Sequence, residues 1–308
     1  MAFNVETLPS YVDEQRLPLI RKAVIGAKSA KLMNLQTGVK GVAALNLLST
    51  DATFGDGANC GWTEAGTSTF TQRNITTGAI KVNMNFCDKK LLKTWAQYDV
   101  RVAAGQKTLP FEEELIGGVV EDVNAKLEKA IWQGNTGGSD ANLNKFDGLV
   151  KLIEAASIAK TIQYAESATV KSIVEDVYAA VPSEAFQKGE IRIYMGEDMY
   201  RKYVMELVAA NLYHYNPADA AEGEFIVIPG GKAKVYGVGG LDGTGKVFAS
   251  FADNFCYGTD LAGDEEKFEM WYSQDNREFR LAIEFTAGVQ VAYPDMIVEA
   301  KKQGAETK

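Results

Sequence analysis

The residues most suggestive of chemistry lie in GGLDGTGKVF, residues 239–248. From Gly240 to Lys246 they follow the Gly-x4-Gly-Lys spacing of the loop that wraps phosphates in nucleotide hydrolases. That loop also needs a hydroxyl directly after the lysine, to bind magnesium, and a helix that begins there. Val247 occupies the hydroxyl position, and KVFASF alternates as a strand does. We therefore predict an exposed, glycine-rich hairpin turn at the Asp-Gly pair and not a P-loop-like nucleotide-binding enzyme.

The remaining reactive side chains are too scattered to form an active site. His214 is the single histidine, near a predicted helix end, and no Gly-x-Ser-x-Gly motif accompanies it. The acidic runs Glu112–Glu114 and Asp264–Glu266 fit solvated helix ends and turns, and no spacing resembles a calcium loop. The tryptophans are dispersed: Trp62, Trp95, Trp132 and Trp271. We predict no catalytic, cofactor-binding or metal-binding residues, and a protein that acts by binding or assembly and is not an enzyme.

Composition and charge exclude several classes of protein. The 308 residues are 46% hydrophobic, enough for one large or two modest domains. Cys60, Cys87 and Cys256 fit neither a zinc spacing nor a disulfide framework, which favours reduced thiols in a cytoplasm. No run of 18 apolar residues and no signal-peptide pattern is present, so neither a membrane nor secretion is expected.

The distribution of charge leaves two readings of the N-terminus. The net charge of −9 argues against a dedicated nucleic-acid binder. Residues 1–50 nevertheless carry six basic and three acidic side chains, a net +3. A basic arm on an acidic body is suited to a polyanion, but a solvated charged segment explains the same pattern.

Two segments predict the clearest secondary structure. In GAIKVNMNF, Ile80, Val82, Met84 and Phe86 alternate with polar residues, which predicts a strand. A Thr-rich run precedes it, and NITTG between them has turn chemistry, so we predict a long hairpin at about 58–87. This hairpin has too few apolar residues for a core of its own and should pack on another copy of the chain.

The second segment, TLPFEEELIGGVVEDVNAKLEKAIWQG, predicts a long helix. Leu115, Val119, Val123 and Leu127 recur at four-residue steps, and Gly134 provides the stop. Its Gly-Gly pair at 117–118 suggests close packing against a neighbour. Before the hairpin we predict an extended apolar arm, and after the helix residues 145–262 mix helices and strands, which predicts an α+β fold.

The order of these elements resembles the major capsid proteins of tailed bacteriophages, which share the Hong Kong 97-like fold. The resemblance spans the whole chain and is carried by an ordered set of short motifs. These are NITTGAIKVNMNF, FEEELIGGVVEDVNAKLEKAIWQGN, FDGLVKLI, IYMGEDMYRKYV and the run from FASFADNF to PDMIV.

The resemblance implies a division of the chain into five parts. They are an N-terminal arm (1–50), an extended β-hairpin loop (51–95), a peripheral domain with a spine helix (96–140), an axial domain (141–262) and peripheral return strands with the C-terminus (263–308). The extended loop would lie over a neighbouring subunit.

The resemblance also implies a function and partners. Copies would form pentamers and hexamers of an icosahedral shell that encloses double-stranded DNA without sequence-specific contacts. Further partners would be a scaffolding protein, a portal and a decoration protein; the chain would be made in the bacterial host cytoplasm and end in the virion. Lys81 and Asn276 have the identities of an inter-subunit cross-link found in some members, but spacing cannot align them. An encapsulin-type nanocompartment shell is the alternative with the same fold.

Overall fold

The computed structural model describes residues 7–54, 66–87, 89–91, 93–94, 100, 111–211, 225–260 and 267–303. Its helices are α1 (Thr7–Glu14), α2 (Arg16–Ile25), α3 (Lys28–Leu32), α4 (Phe111–Gln133), α5 (Leu149–Glu154), α6 (Val170–Ala180), α7 (Ser183–Lys188) and α8 (Glu197–Ala209). Its strands are β1 (Asn34–Thr37), β2 (Val42–Ala52), β3 (Gly66–Thr76), β4 (Gly78–Cys87), β5 (Lys160–Tyr164), β6 (Ile191–Gly196), β7 (Phe225–Val227), β8 (Lys234–Val238), β9 (Val247–Phe251), β10 (Phe255–Thr259), β11 (Lys267–Ser273), β12 (Glu278–Val291) and β13 (Val298–Lys302).

A five-stranded sheet packs against the long helix α4, which we call the spine helix. Its order is β1-β10-β12-β11, and β4 pairs with the free side of β12. Phe279, Leu281 and Ile283 of β12 are buried, because alternate residues of a strand face the same side. The predicted spine helix is confirmed: it ends at Gln133, and the backbone N–H of Gly134 donates to the carbonyl of Ala130.

A six-stranded sheet, in the order β5-β13-β9-β6-β8-β7, is buried on both faces. Ile193 of β6 packs in the core formed with helices α6 and α8. Its neighbour Tyr194 points to the other face and stacks near Trp132 of the spine helix, with ring centroids 5.6 Å apart. The end of the spine helix therefore joins the two sheets. This mixture of helices and sheets confirms the predicted α+β class.

The predicted extended N-terminal arm is wrong between residues 7 and 32, which form α1, α2 and α3. Leu8, Val12 and Val24 are fully or almost fully buried in the same core as the spine helix. Prolines obscured these helices in the sequence, but Pro9 and Pro18 lie in the first turns of α1 and α2, where no internal backbone N–H is lost.

The predicted hairpin between the runs around residues 66–87 is also wrong. β3 pairs with β2 over eleven residues, from Val42↔Thr76 to Ala52↔Gly66, and forms a separate two-stranded sheet. β4 pairs instead with β12. The chain changes sheets at Gly78, where an added Cβ would lie 2.0 Å from the carbonyl oxygen of Lys145. Only glycine permits this close crossing.

The sheets cross two of the expected domain boundaries. β10 lies within 141–262 but pairs with β12 of the five-stranded sheet. β13 lies within 263–308 but pairs with β5 and β9 of the six-stranded sheet. The division into arm, loop, peripheral and axial domains stays a prediction.

Candidate assembly surface

The glycine-rich stretch 239–248 is a packed connection and not a free hairpin turn. β8 and β9, which flank it, both pair with β6 and not with each other, so the connection crosses the end of β6. Gly240 and Leu241 are buried, and Gln133 donates its side-chain amide to the carbonyl of Gly240 over 2.7 Å. The expectation of a fully exposed turn is therefore wrong, and β9 begins where a phosphate loop would begin a helix.

Lys246 belongs to a buried charge cluster. Its Nζ forms ion pairs with Glu154 of α5 and, over 3.5 Å, with Oε1 of Glu299 on β13. Glu299 is only 2% exposed, so its carboxylate depends on this ammonium for compensation. The lysine that suggested phosphate binding is thus occupied inside the protein.

Glu128 is a buried acid on the spine helix. The backbone N–H of Ser29 donates to Oε2 of Glu128 over 2.8 Å, and the Ser29 hydroxyl donates to Oε1. Trp132 donates its indole N–H to the same hydroxyl over 2.7 Å. Burial raises the pKa of Glu128, although the bonds from Ser29 and Gly240 and the charge of Lys28 oppose that rise. This network joins α3 to the spine helix and has no opening to a substrate.

The other residues considered for chemistry are not brought together. Trp132 is buried and Trp271 is 43% exposed, and Glu113 and Glu114 are exposed. Among the described residues, no group of histidine, cysteine, aspartate and glutamate could hold a metal. Outside the described residues lie His214, Asp264–Glu266, Trp62, Trp95 and Cys60, and the side chain of Glu112 is not described.

The remaining thiols and the lysine–asparagine pair have separate surroundings. Cys87 is exposed, whereas burial, with a smaller contribution from Asp253, raises the pKa of Cys256 to about 11. Lys81 forms an ion pair with Glu284 over 3.0 Å, and Asn276 lies in the turn before β12. Of the helices in the described ranges, none is both long and apolar enough to cross a membrane.

The β2–β3 ribbon projects apolar side chains into solvent. Leu48 and Phe70 are directly opposed across the ribbon and are 51% and 78% exposed. Beside them, the Gln72 side chain donates to that of Asn46 over 3.0 Å. Only the base of the ribbon is packed, through Ile75, which is fully buried. Sequence patterning missed these residues because a lone phenylalanine in a Thr-rich strand has no periodic signal.

A groove of about 340 Å³ runs between the spine helix, β4 and the loop after the helix. Its wall on one side is the run 80–84 of β4, and its floor includes Leu127 and Phe285. Three lysines and one aspartate line it, so its rim is net positive. An apolar floor with a charged rim is typical of a surface that binds another protein.

The Gly117-Gly118 pair of the spine helix packs against nothing within the described part of the chain. A Cβ added at either glycine would meet no atom within 4 Å. The expected close neighbour is therefore not another described segment of the same chain.

The fold is similar to that of several solved capsid structures. Neither the protein-family models nor the curated protein sequences contain a match to the chain. The procapsid structure of satellite phage P4 with its size determination protein has 9% identity and a TM-score of 0.59, covering 93% of this chain and 91% of that one. The capsid of Ralstonia phage GP4 has 9% identity and a TM-score of 0.58, with coverages of 90% and 89%.

A virus-like particle from Pyrococcus furiosus extends the similarity beyond phages. It has 11% identity and a TM-score of 0.53, covering 93% of this chain and 98% of that one. Such low identities show a common fold over nearly the whole length. The chain therefore has the predicted Hong Kong 97-like capsid fold.

Proposed function

We propose that the chain is the major capsid protein of a tailed bacteriophage, which assembles into pentamers and hexamers of an icosahedral shell. The observation that carries this proposal is the β2–β3 ribbon: it exposes Leu48 and Phe70 on a projection with no core of its own. Solvent exposure of paired large apolar side chains is unfavourable unless another surface covers them. The capsid fold makes another copy of the chain the natural cover.

The two sheets suggest the two domains of a capsid subunit. We assign the five-stranded sheet and spine helix to the peripheral domain and the six-stranded sheet to the axial domain, whose tip meets its copies around a five- or six-fold centre. The ribbon is the extended loop. Helix α8 of the axial part exposes Met205 and Val208, 69% and 52%, which fits contact with further copies.

Enclosure of double-stranded DNA is the second part of the proposal. Five basic residues of the N-terminal segment are exposed, whereas Lys28 pairs with Glu197: Arg16, Arg21, Lys22, Lys31 and Lys40. Exposed lysines and arginines contact phosphates without reading sequence. With an overall charge of −9, such contacts stay weak, as is suited to DNA that must later leave.

No step of this function requires catalysis by the chain. We further propose that a scaffolding protein, a portal and a decoration protein act with it, and that it is made in the bacterial cytoplasm before it enters the virion. Support for these partners comes from the capsid fold alone.

An encapsulin-type nanocompartment shell is the second candidate, because one similar structure is a virus-like particle from an archaeon. The contents of the particle distinguish the two. Particles that carry this chain, isolated from its natural source and treated with nuclease, should retain protected double-stranded DNA. Particles that hold folded cargo protein and no DNA would instead establish the nanocompartment.

A further inference from the structure

We propose that the groove between β4 and the spine helix receives the β2–β3 ribbon of a second copy of this chain. The inference rests on the proposed self-assembly and adds which surface the ribbon contacts and which residues hold it there. It follows from three features of the described residues: a free strand edge, an apolar floor and complementary charge.

The groove is shaped for an extended segment. Among the described residues, β4 pairs only with β12, so the opposite edge of β4 has unpaired backbone groups. Five consecutive residues of this strand, 80–84, line the groove. An added strand can use such an edge for main-chain hydrogen bonds. The edge is ten residues long, and β2 and β3 have eleven each.

The groove and the ribbon match in apolar surface. Leu127 and Phe285 are buried in the floor, and Met84 at the wall is 36% exposed. Leu48 and Phe70 are the exposed apolar pair of the ribbon. In this chain that pair lies in solvent, so the ribbon is not docked in the groove of its own subunit.

The two surfaces have opposite charge. Lys81, Lys126 and Lys145 line the groove, and the first two have the partners Glu284 and Asp122. Within the described part of the chain Lys145 has no carboxylate partner. The ribbon segment 42–72 contains three acidic residues and no lysine or arginine. Complementary charge favours this pairing and fixes its register.

Disulfide trapping between two differently labelled chains tests this contact. One chain carries Phe70→Cys and the other Met84→Cys, and both carry Cys60→Ser and Cys87→Ser. Cys256 can stay, because it is buried and its raised pKa keeps the thiol protonated. The chains are mixed, assembled, oxidised and separated on a denaturing gel without reductant.

We expect a disulfide-linked dimer from the mixture and none when Phe70→Cys is mixed with Phe186→Cys. Phe186 is 41% exposed on α7, away from the groove, and is therefore the matched control. Assembled particles with no Phe70–Met84 disulfide would overturn the groove contact and leave the proposed shell intact. A mixture that never assembles would count against both.

A charge exchange provides a second, independent test without cysteines. Lys145→Glu places like charges together and should raise the concentration needed for assembly roughly tenfold, and Asp51→Lys in the same chain should restore it. The control is Lys160→Glu, an exposed position on β5. Unchanged assembly of Lys145→Glu, or a double variant as weak as the single one, would contradict the pairing.

Discussion

The backbone N–H of Ser29 donates to the Glu128 carboxylate over 2.8 Å, ninety-nine residues along the chain. The bond fixes the start of α3 on the middle of the spine helix, and the Ser29 hydroxyl extends it to Trp132. Both residues are almost completely buried. Buried hydrogen-bonded acids are costly to disturb, so this contact anchors the N-terminal helices to the body that bears the assembly surfaces.

Ser29→Ala should destabilise the folded chain by about 1–3 kcal/mol, because it leaves the Trp132 N–H and one Glu128 oxygen unpaired in the core. Urea unfolding of wild type and variant measures the difference. Ser139→Ala, at an exposed loop position, is the control and should change little. Equal stabilities of the Ser29 variant and wild type would show that the network contributes nothing.

Gly240→Ala should destabilise the chain by about 1–3 kcal/mol, because the new methyl group would lie 2.3 Å from the carbonyl oxygen of Glu128 and 2.4 Å from Cδ1 of Trp132. The adjacent Gly239→Ala is a close control, since its methyl group would meet only the Glu128 Cγ at 4.0 Å. The melting temperatures of the two variants should therefore differ clearly. A tolerated Gly240→Ala would disprove the packed connection and favour an exposed turn.

Lys246→Ala should destabilise the chain by about 3 kcal/mol, because it leaves the buried Glu299 carboxylate without its cation. The double variant Lys246→Met with Glu299→Gln should recover much of this loss, since no unpaired charge remains. Thermal unfolding at neutral pH compares the three proteins. Nucleotide binding by wild type that Lys246→Ala abolished would revive the phosphate-loop interpretation rejected above.

Asp147 should stabilise the chain at neutral pH and lose this effect in acid. Burial would raise the pKa of its carboxyl group, but hydrogen bonds from Lys151 and from the backbone and hydroxyl of Thr136 outweigh burial and lower it. The stabilisation is therefore complete above the unfolded-state pKa and disappears as the pH falls through the lower folded-state value.

Asp147→Asn should accordingly lower the free energy of unfolding by about 1 kcal/mol at neutral pH. The difference from wild type should shrink as the pH falls below about 4, the ordinary pKa of aspartate. Urea unfolding across this pH range measures it, with Asp140→Asn at an exposed position of the same loop as the control. A difference that grew in acid would have the wrong sign for this explanation.

The sequence predicted local structure well and long-range pairing poorly. The four-residue steps from Leu115 to Leu127 and the alternation from Ile80 to Phe86 depend only on neighbouring residues, and both elements are present. The partner of β3 depends on register between distant segments, and NITTG suggested a turn where Gly78 instead allows a crossing. Glu128 had no signal, because an acid on a helix is expected in solvent until Ser29 is known to cover it.

The molar mass of the purified, full-length chain in solution, measured by multi-angle light scattering with electron microscopy of the same sample, tests self-assembly most directly. We predict pentamers, hexamers or closed shells, because the ribbon exposes Leu48 and Phe70 and needs another copy to cover them. A monomer that persisted at high concentration across all salt conditions, with no ordered particles, would contradict the account.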